Sequence, residues 1–163
     1  LGHTNIGYIG ECHNEARYRG FVEALYGHHL ELDPDFVIET NQTEAKGYEA
    51  MEKLLAMSDY PTGIYCANDI TAVGVLKLLS HRKNIYMPSV IASDDIEQAQ
   101  FTTPMLTTVH LPKKDMGKFA LWLLLDRINN GHKAVTRMEL ECKLMVRSSC
   151  TSAQENGWSD YCI

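Results

Sequence analysis

Residues 64–81 read IYCANDITAVGVLKLLSH, and the change of period within them decides the fold. Ile64, Tyr65, Cys66 and Ala67 form a short run with no polar face, which fits a strand covered on both sides rather than one with a wet side. Asn68 and Asp69 then open a helix that turns Ala72, Val73, Leu76 and Leu79 inward, and residues 90–93 (VIAS) return as another strand. Strand, helix and strand in that order are the signature of a parallel sheet with crossover helices, so the fold class is α/β.

The same pattern extends toward the N-terminus. Residues 4–10 (TNIGYIG) are a β-type run, and a helix follows to about His28, with Ala16, Phe21, Ala24 and Leu25 in its apolar stripe and Gly27 as its stop. Asp33, Pro34 and Asp35 predict a turn, residues 36–39 a brief strand, and residues 43–57 a helix with Ala50, Leu54 and Met57 on one side. Toward the C-terminus, residues 106–111 are strand-like and residues 113–130 are strongly helical. Met116, Phe119, Ala120, Leu123, Leu124 and Ile128 keep helical spacing there, but Leu121, Trp122 and Leu125 widen the stripe beyond the needs of one surface helix. A large partner surface is expected to cover it. Met138, Leu140, Cys142, Leu144 and Val146 alternate with Glu139, Glu141, Lys143, Met145 and Arg147, which predicts a strand or two joined strands. Residues 150–163 are expected to be a flexible tail in which Trp158 and Tyr161 dock locally.

Composition narrows the function classes. A chain of 163 residues with 45% apolar side chains can bury a core without staples. Fifteen basic against 21 acidic residues leave a formal charge of −6, so no overall positive field draws it to nucleic acid or an anionic membrane. No apolar stretch approaches the roughly 20 residues of a membrane span. Five cysteines without CxxC spacing favour a reducing cytoplasm. The chain opens at Leu1, already close to a strand, which suggests a fragment.

In an open parallel sheet, ligands bind beyond the carboxyl ends of the strands, where loops and helix N-termini meet. His13, Asn14 and Arg17 follow the first strand, Asn68 and Asp69 the apolar strand, and Asp94 and Asp95 the next. A guanidinium, an amide and a carboxylate on one rim donate to and accept from neighbouring hydroxyls, as a polyol such as a sugar requires. Other readings stand beside this one. Asn68 is equally placed to be a helix N-cap, Asp69 a first-turn acid, Asp94 and Asp95 turn formers, and Arg17 a solvated charge. The histidines lack ligand spacing and no GxSxG, P-loop or GxGxxG occurs, so neither a metal, a cofactor nor a catalytic residue is assigned.

Several short motifs occur in a familiar order: Arg17-Tyr18-Arg19-Gly20-Phe21, Gly47-Tyr48, Ala67-Asn68-Asp69 with Ala72 and Gly74, Ser93-Asp94-Asp95-Ile96-Glu97, Pro104-Met105-Leu106-Thr107-Thr108-Val109 and Met116-Gly117. Together they resemble the C-terminal half of the effector-binding region of the LacI/GalR family of bacterial transcriptional regulators, over residues 1–149. The resemblance implies a two-lobed, periplasmic-binding-protein-like receptor with a small effector, a sugar by expectation, in the cleft. Residues 1–95 and 137–149 would be the C-terminal lobe and residues 106–130 a segment of the N-terminal lobe. Operator DNA would be read by a helix-turn-helix head outside this chain, in a cytoplasmic homodimer. Arg17, Asn68 and Asp94 match the family's ligand-contacting positions, with His13 and Gln42 beside them.

Two positions depart from the family pattern. The loop after the second strand is Asn41-Gln42-Thr43, without the aromatic that often stacks on a sugar there, and Leu111 stands where a polar residue is usual. A periplasmic sugar-binding protein shares the same architecture, a doubly wound enzyme needs a catalytic set at the same rim, and a purine or nucleoside is the nearest effector variant.

Overall fold

The computed structural model describes residues 1–13, 15–82 and 87–153. The elements run β1 (Ile6–Gly10), α1 (Ala16–Gly27), β2 (Val37–Glu39), α2 (Glu44–Leu55), β3 (Gly63–Cys66), α3 (Asp69–His81), β4 (Ser89–Asp94), β5 (Thr107–His110), α4 (Lys113–Ile128) and β6 (Lys143–Met145), with short 3-10 turns at Pro34–Phe36 and Glu97–Gln100. The six strands form one sheet in the order β2-β1-β3-β4-β5-β6, parallel except for the antiparallel β5–β6 pair. Asn14, residues 83–86 and residues 154–163 lie outside the described residues, and with them the expected docking of Trp158 and Tyr161.

Strand alternation sorts the core into two layers. Ile9, Ile64, Cys66, Val90 and Ala92 face α2 and α3, where they pack with Met51, Leu54, Val75 and Leu79. Tyr8 and Ala67 pack with Phe21 and Leu25 of α1, and the partly buried Tyr65 joins them. The apolar run at residues 64–67 is therefore covered on both faces, as its composition requires. The two helices on the first face approach closely. A Cβ on Gly47 would lie 2.1 Å from the Thr71 carbonyl oxygen, and one on Gly74 2.0 Å from that of Glu44.

Three boundaries differ from the sequence reading. Residues 106–110, expected in the second-lobe segment, belong to this sheet: Leu106 is fully buried in its core and β5 runs parallel to β4. Only at Leu111 and Pro112 does the chain leave this strand, before α4. The alternation from Met138 to Val146 yields a strand only at Lys143–Met145, because a strand needs backbone partners as well as a side-chain period, and β5 supplies them to that stretch alone. The expected tail is docked over its first residues. Thr151 donates its amide to Ser89 Oγ at 2.9 Å, its carbonyl lies 2.9 Å from His3 Nε2, and the Ala153 amide donates to the Leu1 carbonyl.

The width of the apolar stripe on α4 is matched by its environment: none of its residues is buried, and Trp122 is 58% exposed. An apolar groove of about 340 Å³ runs along its base, between Met116, Phe119 and Leu123 on the helix and Met138 and Leu140 on the returning chain.

The α2–α3 contact makes a specific demand. Gly74→Ala should lower the unfolding free energy of the chain in urea by about 1–3 kcal/mol, because backbone rather than a flexible side chain must give way. Gly20→Ala in α1, where no atom lies within 4 Å of the added carbon, should instead raise it by about 0.5–1 kcal/mol. Equal effects at the two positions would contradict this packing.

Candidate functional site

The five candidate ligand contacts lie at the carboxyl ends of four neighbouring parallel strands: His13 and Arg17 after β1, Gln42 after β2, Asn68 after β3, and Asp94 at the end of β4. The scaffold beneath them depends on Asp69. This carboxylate is fully buried and accepts hydrogen bonds from the Thr108 hydroxyl (2.5 Å) and the Ile96 amide (2.9 Å). Burial raises its pKa, and those two donors pull it back. The start of α3, the turn after β4 and the middle of β5 are thus held together at one point.

On that scaffold Arg17 and Asp94 meet. Glu15 caps α1 by accepting from the Arg17 amide at 3.1 Å, which places Arg17 in the first helical turn. Its Nη2 donates to Asp94 Oδ1 at 3.1 Å, with the two side chains 33% and 24% exposed. Strict alternation would send the Asp94 side chain to the face of Val90 and Ala92, away from α1. A φ of 125° at Asp94 breaks that alternation and lets the carboxylate meet Arg17. Burial raises the Asp94 pKa, while Arg17 and Lys113 lower it and Glu15 raises it further. Arg17 retains further guanidinium donors and Asp94 further lone pairs, so the half-exposed pair can engage neighbouring hydroxyls.

The other candidates form separate contacts. Asn68 is the N-cap of α3, with Oδ1 accepting from the Thr71 amide at 2.9 Å, so its capping role is realised and its amide nitrogen is left for another partner. That nitrogen donates to the Gln42 carbonyl at 3.4 Å, and Gln42 has a φ of 59°. His13 Nδ1 lies 2.7 Å from Glu39 Oε1 in an exposed pair that raises the imidazole pKa and lowers that of the carboxyl. The rim therefore holds three local pairs rather than one bonded cluster of five.

Asp95 has a different role from its neighbour. It is 11% exposed and is gripped by Arg147 Nη2 at 2.6 Å and by His110 Nδ1 at 2.8 Å. Arg147 also donates to the Leu106 carbonyl at 2.8 Å. Burial alone would raise the Asp95 pKa, but the hydrogen bonds and charges of Arg147 and His110 outweigh it and hold the carboxyl below its ordinary value. Sequence reasoning missed Arg147, Tyr65 and Ser93. A basic residue ending the alternation was the available signal for Arg147. Tyr65 and Ser93 gave none beyond their polar atoms in otherwise apolar strands. Among the described residues, no three His, Cys, Asp or Glu side chains converge as a metal site, and no helix is long and apolar enough to cross a membrane.

The model of the periplasmic binding protein-like domain matches residues 1–150. The chain belongs to this family. Within it, the chain is similar to LacI-family regulators. It is 35% identical over 158 residues to the HTH-type transcriptional repressor PurR of Pasteurella multocida (strain Pm70), across 93% of this chain and 47% of that protein. The chain thus spans about half the length of the curated relatives it matches. A solved complex of the transcriptional regulator CelR with cellobiose superposes with a TM-score of 0.84 at 29% identity, over 91% of this chain and 47% of the other. A LacI-family regulator from Enterococcus faecium with bound ribose superposes at 0.79 and 27%, over 90% and 56%. The expected resemblance to the LacI/GalR effector-binding region and the periplasmic-binding-protein-like α/β fold are borne out, and the relatives are named as transcriptional repressors and regulators.

The Asp95 clamp carries a pH signature. Its folded pKa is depressed, so its stabilisation is present above the unfolded value near 3.8 and is lost as pH falls through the lower folded value. Arg147→Met should cost about 3 kcal/mol at pH 7. In urea titrations at pH 7 and pH 3, the gap between wild type and variant should narrow at the acid end. A gap independent of pH would contradict the clamp.

Proposed function

We propose that this chain is the effector-sensing part of a LacI-family transcriptional repressor and that a small carbohydrate binds at the rim carrying Arg17 and Asp94. The observation that carries the reading is the half-exposed Arg17–Asp94 pair, a guanidinium and a carboxylate side by side beyond the carboxyl ends of parallel strands. Such a pair offers donors and acceptors at the spacing of vicinal hydroxyls. Asn68, Gln42 and His13 complete the contacting rim in this reading. The cellobiose and ribose in two similar structures support a sugar as effector.

The effector would sit between two lobes. Residues 111–142, with the unburied α4, belong to the second lobe in this reading, which accounts for a helix rich in apolar residues with none of them buried. The switching logic follows from differential binding. A ligand held by both lobes favours the arrangement that brings them together, and the shift in population passes to a helix-turn-helix head that reads operator DNA in the cytoplasm. The −6 charge of this chain fits a sensing part that leaves DNA contact to that head. The working unit is a homodimer, matching an operator of two half-sites.

In the full-length protein, Arg17→Ala and Asp94→Ala should each weaken sugar binding at least about tenfold, the loss expected for a hydrogen bond to a charged group, and leave operator affinity in the absence of effector unchanged. Calorimetry with a sugar panel and an operator gel shift read the two quantities separately. Normal binding by both variants would remove the site from this rim, and a response to adenosine but to no sugar would change the effector class.

A further inference from the structure

Tyr65 and Ser93 form a contact that neither the core nor the Arg17–Asp94 pair requires. Tyr65 pairs with Ile91 across the β3–β4 ladder, and Ser93 lies two residues further along β4 on the same face. Two strand residues advance about 6.6 Å, close to the reach of a tyrosine side chain. The phenol thus runs along the sheet toward its carboxyl end, and its oxygen lies 3.0 Å from Ser93 Oγ. The ring has little freedom to leave, because it packs edge-on against Tyr8 at 5.7 Å and tilted against Phe21 at 6.1 Å. The phenol lies within the electrostatic reach of Arg17, Glu15 and Asp94, so its tip is part of the rim's surroundings rather than of the deep core.

Two consequences follow from simple bookkeeping of hydrogens. Ser93 directly precedes Asp94, whose φ of 125° departs from the strand. A bond from the neighbouring strand to Ser93 fixes the backbone just before that departure, and so the direction in which the Asp94 carboxylate leaves. The two hydroxyls also carry two O–H hydrogens, and their mutual bond uses one. Among the described residues neither oxygen has another hydrogen-bond partner, which leaves one O–H hydrogen uncommitted beside the Arg17–Asp94 pair.

We infer that the Tyr65–Ser93 hydroxyl pair is a specificity-determining element of the effector site: Ser93 positions Asp94, and the spare hydroxyl hydrogen is donated to an ether, carbonyl or hydroxyl oxygen of the ligand. The inference rests on the reading of the Arg17–Asp94 rim as the effector site. It adds a neutral donor to the charged pair, and so selects ligands with an acceptor oxygen at the depth of the sheet. It also locates a compensation for the missing aromatic at Asn41-Gln42-Thr43, in hydrogen bonding from below in place of stacking from the side.

The test uses the full-length protein titrated calorimetrically with ribose, cellobiose and adenosine, with the thermal midpoint of each ligand-free variant measured alongside. Tyr65→Phe and Ser93→Ala should each weaken binding of the responding compound about three- to tenfold, the two together should cost no more than either alone, and Ser93→Thr should restore wild-type affinity. Arg17→Ala should abolish the binding. If Arg17→Ala abolishes it while Tyr65→Phe and Ser93→Ala bind like wild type at unchanged midpoints, the pair has no part in recognition. If Arg17→Ala binds like wild type, the reading of the rim itself fails. Should Tyr65→Phe lower the midpoint, Ser93→Ala, which leaves the aromatic cluster whole, decides the matter.

Discussion

A carboxylate with no access to water must find donors inside the protein, and Asp69 finds two in the Thr108 hydroxyl and the Ile96 amide. These come from β5 and from the turn after β4, whereas Asp69 itself opens α3. One buried group therefore fixes three segments at the end of the sheet where the candidate residues converge. Asn68 is its immediate neighbour, and Asp94 stands two residues before the bonded amide. That anchor helps to fix the course of a chain that leaves β4 through Asp94 and Asp95, both at positive φ.

The two aspartates then divide the work. Asp94 remains half open against Arg17, and Asp95 is closed off by Arg147 and His110. His110 ends β5 and Arg147 follows its partner strand β6, so Asp95 ties the two strands together at one point. Beyond them, α4 has no buried residue. In the proposed two-lobe reading, this clamp lies beside the open rim, where closure over a ligand would be felt.

Much of this was legible in the sequence. The apolar run at residues 64–67 and the helix after it identified the parallel sheet, and chain order placed Arg17, Asn68 and Asp94 at strand ends without knowledge of any contact. What stayed hidden depended on distant backbone. The Arg17–Asp94 bond spans 77 residues and relies on one unusual φ. The alternation of residues 138–147 described which way side chains point but not whether a neighbouring strand was within reach, and only Lys143–Met145 found one. Polar residues read as a tail are held over 150–153 by backbone and hydroxyl bonds to Ser89, His3 and Leu1, contacts that carry no periodic signal. The Tyr65 hydroxyl was hidden for a related reason: in sequence it is simply one aromatic among apolar neighbours.

The central claim is that a small effector is held at the rim by Arg17 and Asp94. A crystal structure of the full-length protein grown with its effector measures this directly. The account predicts ligand oxygens within hydrogen-bonding distance of both the Arg17 guanidinium and the Asp94 carboxylate. A ligand seated instead in the apolar groove along α4, with Arg17 and Asp94 still bonded only to each other, would contradict it.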